Sequence, residues 1–151
     1  MDHGIYAAEL FESGYNCAQA VAVAFCDVTG LTPSFAAKTA SSFGGGIGRL
    51  REVCGAVSGM AMVAGWLYGY DTPEADNAKK EHYALVQDLA AQFREQTGSI
   101  ICRELLNNPP SDPVPTPRTE SFYQMRPCTR MVLLAAQILD GYIAEHPPVK
   151  E

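Results

Sequence analysis

The fold is decided by residues 44–70, GGGIGRLREVCGAVSGMAMVAGWLYGY, in which a run of glycines leads through two arginines into an uncharged segment. Glycine reaches backbone conformations that other residues avoid, and it leaves room for another part of the chain to approach. The glycine run therefore predicts a break between helices, and the uncharged segment predicts an apolar helix from about Leu50 to Gly69. A helix that is apolar on all sides is typical of the centre of a bundle, so we expect this Gly/Ala-rich helix to be central and fully buried.

The same segment raises the question of a membrane span. Residues 53–70 form 18 positions without a charge, which is close to the shortest length that crosses a bilayer. Frequent glycines make this stretch only weakly apolar, and the chain begins without a basic region followed by an apolar run. We therefore expect a cytoplasmic protein without membrane insertion, and a membrane span is the less favoured alternative.

The remainder of the chain carries helix signals, and no segment alternates between apolar and polar residues as a strand would. Asn16, Thr32 and Thr72 are typical N-caps, and Gly14 and Gly98 are typical helix ends. The predicted helices cover approximately residues 2–13, 17–27, 33–43, 50–69, 73–96, 100–107 and 127–146. The sequence therefore predicts an all-α, compact multi-helix bundle of six or seven helices in a single domain, residues 1–151, with a proline-rich loop at 108–126.

Composition and charge limit the classes of function that the chain can have. The chain has 151 residues, 47% of them hydrophobic, and a net charge of −6, as is typical of a folded domain. Because binding to phosphate backbones requires a basic face, the acidic balance argues against a nucleic-acid partner. A local positive patch is still possible among Arg49, Arg51, Arg103, Arg118, Arg126 and Arg130. His3 and His146 lie near the ends of the chain, and we expect both to be exposed.

The five cysteines carry the chemical signal, although their spacing excludes several kinds of site. No pair is spaced as C-x-x-C, which argues against a zinc ribbon or a thioredoxin-type motif. An odd number of cysteines without an export signal argues against a secreted disulfide framework. The simplest interpretation is that they are small hydrophobic residues of the core.

The positions of the cysteines along the predicted helices favour a second interpretation. Four of them lie in or near the first turn of a helix, and only Cys26 lies toward a helix end. These four are Cys17, Cys54, Cys102 and Cys128. The first turn of a helix offers unpaired N–H groups and the positive end of the dipole, both of which stabilise a thiolate. If the four helix starts meet, they form a site suited to negative sulfur.

Several short segments also resemble a known family. NCAQAV at 16–21, GGGIG at 44–48, CGAVSG at 54–59 and CRELL at 102–106, followed by a late cysteine, resemble the redox-active proteins named for the cysteine pattern C_GCAxxG_C_C. The resemblance covers nearly the whole chain. It implies that the family's four defining cysteines correspond to Cys17, Cys54, Cys102 and Cys128, with Cys26 outside the pattern. One departure is that the family label has Gly-Cys-Ala where this chain has Cys-Gly-Ala. The resemblance implies redox or metal chemistry without naming a reaction.

Two functional hypotheses follow. In the first, the four cysteines converge to bind zinc or an iron–sulfur cluster, or act as redox thiols in dithiol/disulfide pairs that exchange electrons with an unknown redox partner. Glycine-rich turns form nests of N–H groups, which makes Gly44, Gly45, Gly46 and Gly55 the candidate cofactor-binding residues. In the second, the protein is a non-catalytic helical binding module whose cysteines are structural. Whether it is an enzyme is left open, and its small-residue helix faces permit a homodimer.

Overall fold

The computed structural model describes residues 2–149, and within them the chain forms nine α-helices and no extended sheet. The helices are α1 His3–Glu12, α2 Cys17–Ala24, α3 Cys26–Thr29, α4 Pro33–Ala40, α5 Gly55–Tyr68, α6 Asp76–Thr97, α7 Cys102–Leu105, α8 Glu120–Met125 and α9 Cys128–Glu145, with a 3₁₀ turn at Ser41–Phe43. The predicted all-α class is confirmed.

Short polar side chains start two of the early helices as predicted. The Asn16 side chain accepts a hydrogen bond from the Gln19 N–H at 2.9 Å, and the Gln19 side chain accepts one from the Asn16 N–H at 3.1 Å. The Thr32 hydroxyl accepts from the Phe35 N–H at the start of α4, with Pro33 in the first turn. Each cap satisfies a backbone N–H that the helix itself leaves unpaired.

Helix α5 packs against α2, while α1 packs against α9. A Cβ atom on Gly59 would lie 2.8 Å from the Ala18 carbonyl oxygen, so a glycine is needed for the two helices to approach this closely. The expected full burial of α5 is not confirmed, because seven of its 14 residues are buried and positions 65–68 are half-buried. Within residues 2–149, none of the helices has the length and apolar character needed to cross a bilayer.

The prediction that this helix begins near Leu50 is wrong, because the residues just before α5 are extended. The Cys54 N–H donates to the Ile100 carbonyl at 2.7 Å, and the Cys102 N–H donates to the Glu52 carbonyl at 2.6 Å. These bonds flank an isolated antiparallel bridge between the two segments. The pairing joins positions almost 50 residues apart, and it holds the backbone of one cysteine segment against that of another.

Three other boundaries differ from the sequence prediction. Thr72 does not cap a helix, since a turn lies at residues 73–74 and α6 begins only at Asp76. Ser99 accepts a hydrogen bond from an N–H two residues on, so it ends a turn and α7 begins only at Cys102. The proline-rich segment 108–126 is not extended throughout, because its last part forms α8 with a threonine cap.

Residues 44–51 form a loop with a left-handed backbone. Positions 45–49 and 51 have φ values between 53° and 73°, and three of them are the non-glycine residues Ile47, Arg49 and Arg51. A left-handed conformation costs an L-residue about 1–2 kcal/mol, so the rest of the structure has to hold this loop in place. The strained backbone carries two arginines toward the site described below.

The expected exposure of His3 is wrong. His3 is 7% exposed; its Nδ1 lies 2.6 Å from an oxygen of Asp140, and its Nε2 lies 2.9 Å from an oxygen of Asp27. Its ring stacks on Phe25 with 4.2 Å between the ring centres. One side chain near the start of the chain thereby links α1, α3 and α9.

Candidate functional site

Four of the five cysteines surround one small cavity. Cys17, Cys54, Cys102 and Cys128 line a space of about 30 Å³, which is roughly the room that one water molecule needs. All five cysteines are free thiols. Cys26 lines neither this inner cavity nor the larger cleft beside it. The structure therefore brings together the four cysteines of the sequence prediction and leaves the fifth apart.

A cleft of about 440 Å³ lies next to the inner cavity, and we call it the arginine cleft. Its lining includes four arginines, two phenylalanines and two cysteines, namely Arg49, Arg51, Arg118, Arg126, Phe11, Phe122, Cys17 and Cys128. Cys17, Cys128 and Arg51 line both spaces, whereas Cys54 and Cys102 line only the inner cavity. The four thiols thus form an outer pair that borders the cleft and an inner pair behind it.

Each of the four cysteines stands at the start of a helix. Cys17, Cys102 and Cys128 are the first residues of α2, α7 and α9, and Cys54 immediately precedes α5. The backbone N–H groups of the first turn of α5 hydrogen-bond the Cys54 sulfur and favour its thiolate form. Helix starts supply unpaired donors and a positive partial charge, so this arrangement suits negative sulfur.

Two glycines allow the cysteine backbones to come this close. A Cβ atom on Gly46 would lie 2.8 Å from the Cβ of Cys102, and one on Gly55 would lie 3.0 Å from the Cβ of Cys17. Of the four glycines predicted as cofactor-binding, Gly44 lines the arginine cleft, Gly46 and Gly55 line the inner cavity, and Gly45 lines both. At Gly46 and Gly55, the absence of a Cβ atom therefore leaves space for a cysteine.

The outer pair is polarised. The Cys17 thiol hydrogen-bonds the Cys128 sulfur, which lowers the pKa of Cys128 and raises that of Cys17 well above its ordinary value. Burial opposes ionisation of Cys128, but the positive charges of Arg126, Arg118 and Arg51 favour it, and the net shift of its pKa is downward. Cys128 is therefore the more readily ionised cysteine of the pair, and Cys17 is the one that keeps its proton.

The inner pair is held in the neutral form. Burial raises the pKa of Cys54 to about 12, and the neighbouring Cys128 adds to the shift. Burial also raises the pKa of Cys102, even though Arg51 Nη1 lies 3.6 Å from its sulfur and favours the thiolate. At neutral pH both inner cysteines are thiols, so they are less ready nucleophiles than Cys128, the one cysteine of the four whose pKa is lowered.

Arg51 stands between the two cavities with a donor that has no partner. Its residue is only 4% exposed, and its Nε donates to the Pro110 carbonyl at 2.9 Å. Within residues 2–149, no acceptor lies within hydrogen-bond distance of its Nη2. A buried charged donor without an acceptor is costly, so a bound anion would be stabilised beside this guanidinium.

The cleft arginines are candidate functional residues that the sequence indicated only as part of a possible positive patch. Arg118 donates to the carbonyls of Phe11 and Tyr15 at 2.9 and 3.0 Å, and its guanidinium lies 4.3 Å from the Phe11 ring centre. Arg126 lies 5.2 Å from the ring centre of Phe122. The available signal was the mixture of arginines and aromatic residues at 118–126, but only the fold shows that they share a cleft with Cys17, more than 100 positions earlier.

A metal site is not formed by these side chains as they stand. Four thiols are a donor set that suits zinc or an iron–sulfur cluster. Within residues 2–149, however, no three or more His, Cys, Asp or Glu side chains are grouped so that they could hold a metal ion. The four cysteines line one cavity but do not form such a group.

Comparison with known proteins places the chain in a family. The family model described as "Putative redox-active protein (C_GCAxxG_C_C)" matches residues 15–142. The chain belongs to this family. The resemblance seen in the sequence is thereby confirmed, and the matched segment includes all four cysteines of the cavity. No curated protein and no solved structure gives a significant match.

Proposed function

We propose that this C_GCAxxG_C_C protein is a thiol–disulfide redox protein whose reactive pair is Cys128 and Cys17. The observation that carries the proposal is the outer pair, in which two neighbouring cysteines border an accessible cleft and the pKa of one of them, Cys128, is lowered by Cys17 and by the cleft arginines. A nucleophilic cysteine with a resolving cysteine beside it is the minimum that thiol–disulfide exchange requires. Membership of the family of redox-active proteins supports the same chemistry.

The reaction follows from the roles of the two sulfurs. The Cys128 thiolate attacks one sulfur of a substrate disulfide, forms a mixed disulfide and releases the other half of the substrate as a thiolate. Cys17 then loses its proton and attacks the Cys128 sulfur, which releases the second half as a thiolate. One released thiolate takes up the proton that Cys17 loses, and the other takes up a proton from solvent, which replaces the one that Cys128 gave to solvent when it ionised. The substrate disulfide gains two electrons, and the protein is left with a Cys17–Cys128 disulfide.

The experiment is to oxidise the reduced protein with a small disulfide, alkylate the remaining thiols and identify the cross-linked peptides by mass spectrometry. We expect a Cys17–Cys128 disulfide as the first product. Cys17→Ser is expected to trap the mixed disulfide on Cys128, and Cys128→Ser is expected to abolish fast oxidation. Cys26→Ser is the matched control, because Cys26 borders neither cavity, and it is expected to behave as the native protein. Thiols that stay inert, or a first disulfide that omits Cys128, would refute the proposal.

Metal binding is the second candidate, and the observation that favours it is that four thiols line one cavity. Zinc or an iron–sulfur cluster would be held by Cys17, Cys54, Cys102 and Cys128 after their side chains turned toward a common point. Purification under strict exclusion of oxygen, followed by analysis for iron, sulfide and zinc, distinguishes the two candidates. Stoichiometric metal that is lost in each of the four cysteine variants would favour this candidate, and metal-free protein with reactive thiols would exclude it.

A further inference from the structure

The arginine cleft has the chemistry of an anion-binding site. Four arginines line it, and neither a carboxylate nor a lysine is among the residues that border it within 2–149. Its volume of about 440 Å³ lies in the range that accommodates a small organic molecule. The whole chain carries a net charge of −6, so this concentration of positive charge is local to the cleft.

The guanidinium groups are only partly neutralised by the protein. Arg49 has the one carboxylate neighbour, Asp112, and the shortest distance between their charged atoms is 3.9 Å. Within residues 2–149, Arg51, Arg118 and Arg126 have no carboxylate at ion-pair distance. Backbone carbonyls and aromatic rings hold Arg51 and Arg118 in position, but they cancel no charge.

Arg51 provides the second, independent observation. It is more than nine-tenths buried, it lines the cleft and the inner cavity, and one of its donors lacks a partner. Arg51 also has a left-handed backbone with φ of 63°, a conformation that costs free energy. The fold thus holds a charged, unsatisfied side chain beside the outer cysteine pair.

The remaining walls of the cleft indicate an organic anion. Phe11, Phe122, Pro113 and Pro115 present apolar surface next to the charged groups. A ligand with a carboxylate and a short apolar body would use both kinds of surface, since apolar walls with a few placed charges are what orient small molecules. An inorganic ion would leave most of the apolar wall uncovered.

We propose that the arginine cleft binds a low-molecular-weight organic disulfide that carries carboxylate groups, with a carboxylate at Arg51 and Arg126 and a sulfur at Cys128. This inference rests on the proposed function, because it names the substrate class of the same reactive pair. The bound disulfide accepts two electrons from the outer pair and leaves as two carboxylate-bearing thiols, by the exchange described above.

The test compares three aliphatic disulfides of similar size and different charge. These are 3,3′-dithiodipropionate with two carboxylates, bis(2-hydroxyethyl) disulfide, which is neutral, and cystamine with two ammonium groups. The rate of oxidation of the reduced protein is measured for each and divided by the rate for a free thiol, which removes differences in intrinsic reactivity. We expect the dianion to be preferred over the neutral probe by about tenfold or more, and the cation to be disfavoured.

Variants connect this preference to the cleft. Arg126→Gln is expected to slow the reaction with every probe, because it removes a charge that favours the Cys128 thiolate, but to slow the dianion most. The ratio of the dianion rate to the neutral-probe rate within each variant is therefore the measured quantity. It should fall close to one in Arg126→Gln and fall partly in Arg51→Lys. Arg94→Gln is the matched control. Arg94 is exposed on α6, so this substitution removes one positive charge, as Arg126→Gln does, from a position outside the cleft. Melting temperatures establish that each variant is folded. Equal relative rates for all three probes, or equal losses in Arg94→Gln and Arg126→Gln, would overturn the inference.

A binding measurement separates this inference from the proposed function. Calorimetric titration of Cys128→Ala with 3,3′-dithiodipropionate reports on the anion site without the fast exchange at Cys128, and thiol counting before and after the titration shows that the remaining cysteines have not reacted. Binding that depends on Arg126, in a protein whose thiols are inert, would sustain the anion site and refute the redox proposal. Fast exchange at Cys128, together with no binding to Cys128→Ala and no dependence on probe charge, would refute the anion site and sustain the redox proposal.

Discussion

Replacing Gly46 with alanine is expected to destabilise the protein and to disturb the cysteine cluster. The new methyl group would lie 2.7 Å from the Glu52 backbone nitrogen and 2.8 Å from the Cys102 Cβ, so backbone must move to admit it. Such overpacking costs about 1–3 kcal/mol. Gly46 also has φ of +73°, which adds about 1–2 kcal/mol for a residue with a side chain. The expected loss in the free energy of unfolding is about 2–5 kcal/mol.

Gly48 offers a matched control in the same loop. Its φ is +53°, but a Cβ atom there would meet nothing within 4 Å, so alanine should cost only about 1–2 kcal/mol. The two variants should differ by about 1–3 kcal/mol in urea unfolding, or by about 2–12 °C in Tm for a domain of this size. Gly46→Ala should also change the rate at which thiol reagents modify Cys102, whereas Gly48→Ala should not. Equal unfolding free energies for the two variants would show that the glycine does not make room for the cysteine.

Three further predictions concern the pair, a cap and the buried histidine. Cys128 should be alkylated at lower pH than an ordinary thiol because its pKa is lowered, and Cys17→Ala should move the pH profile upward; an unchanged profile would contradict the assigned hydrogen bond. Asn16→Ala should lower the free energy of unfolding in urea by about 0.5–2 kcal/mol, since it removes a reciprocal cap, and no loss would argue against that cap. His3→Ala should lower the free energy of unfolding, measured by thermal denaturation, by about 1–3 kcal/mol. His146 is exposed, so His146→Ala should lower it by about 0.5 kcal/mol or less, and similar losses in the two variants would refute the bridging role of His3.

Local chemistry explains the parts of the fold that the sequence predicted. The caps at Asn16 and Thr32 involve side chains and N–H groups within three residues, so a short window contains both partners. The stops at Gly14 and Gly98 depend on the left-handed backbone of a single residue. Features of this kind can be recognised without knowing where the rest of the chain lies.

The parts that were missed depend on partners distant in sequence. The backbone at Cys54 is extended because it bonds to Ile100, and nothing within the apolar segment itself signals that pairing. His3 is buried because Asp140, at the other end of the chain, accepts from it. The membership of Arg126 in a cleft with Cys17 likewise requires the tertiary fold. Apolar periodicity predicts that a helix exists, but it carries no information about contacts of this range.

The positions of the glycines and arginines in one segment suggest why the loop before α5 is strained. The backbone at Gly46 passes so close to Cys102 that an added Cβ would lie 2.8 Å from the Cys102 Cβ, and Arg51, five residues later, is buried beside the outer pair. The left-handed path costs about 1–2 kcal/mol at each of Ile47, Arg49 and Arg51. That path brings glycine against the inner pair and arginine against the outer pair within six positions of each other. Two of these strained residues, Arg49 and Arg51, line the cleft beside the outer pair. A site that stabilises transient negative sulfur requires its positive charges to be in place before the thiolate forms, and a backbone held in one conformation keeps them there.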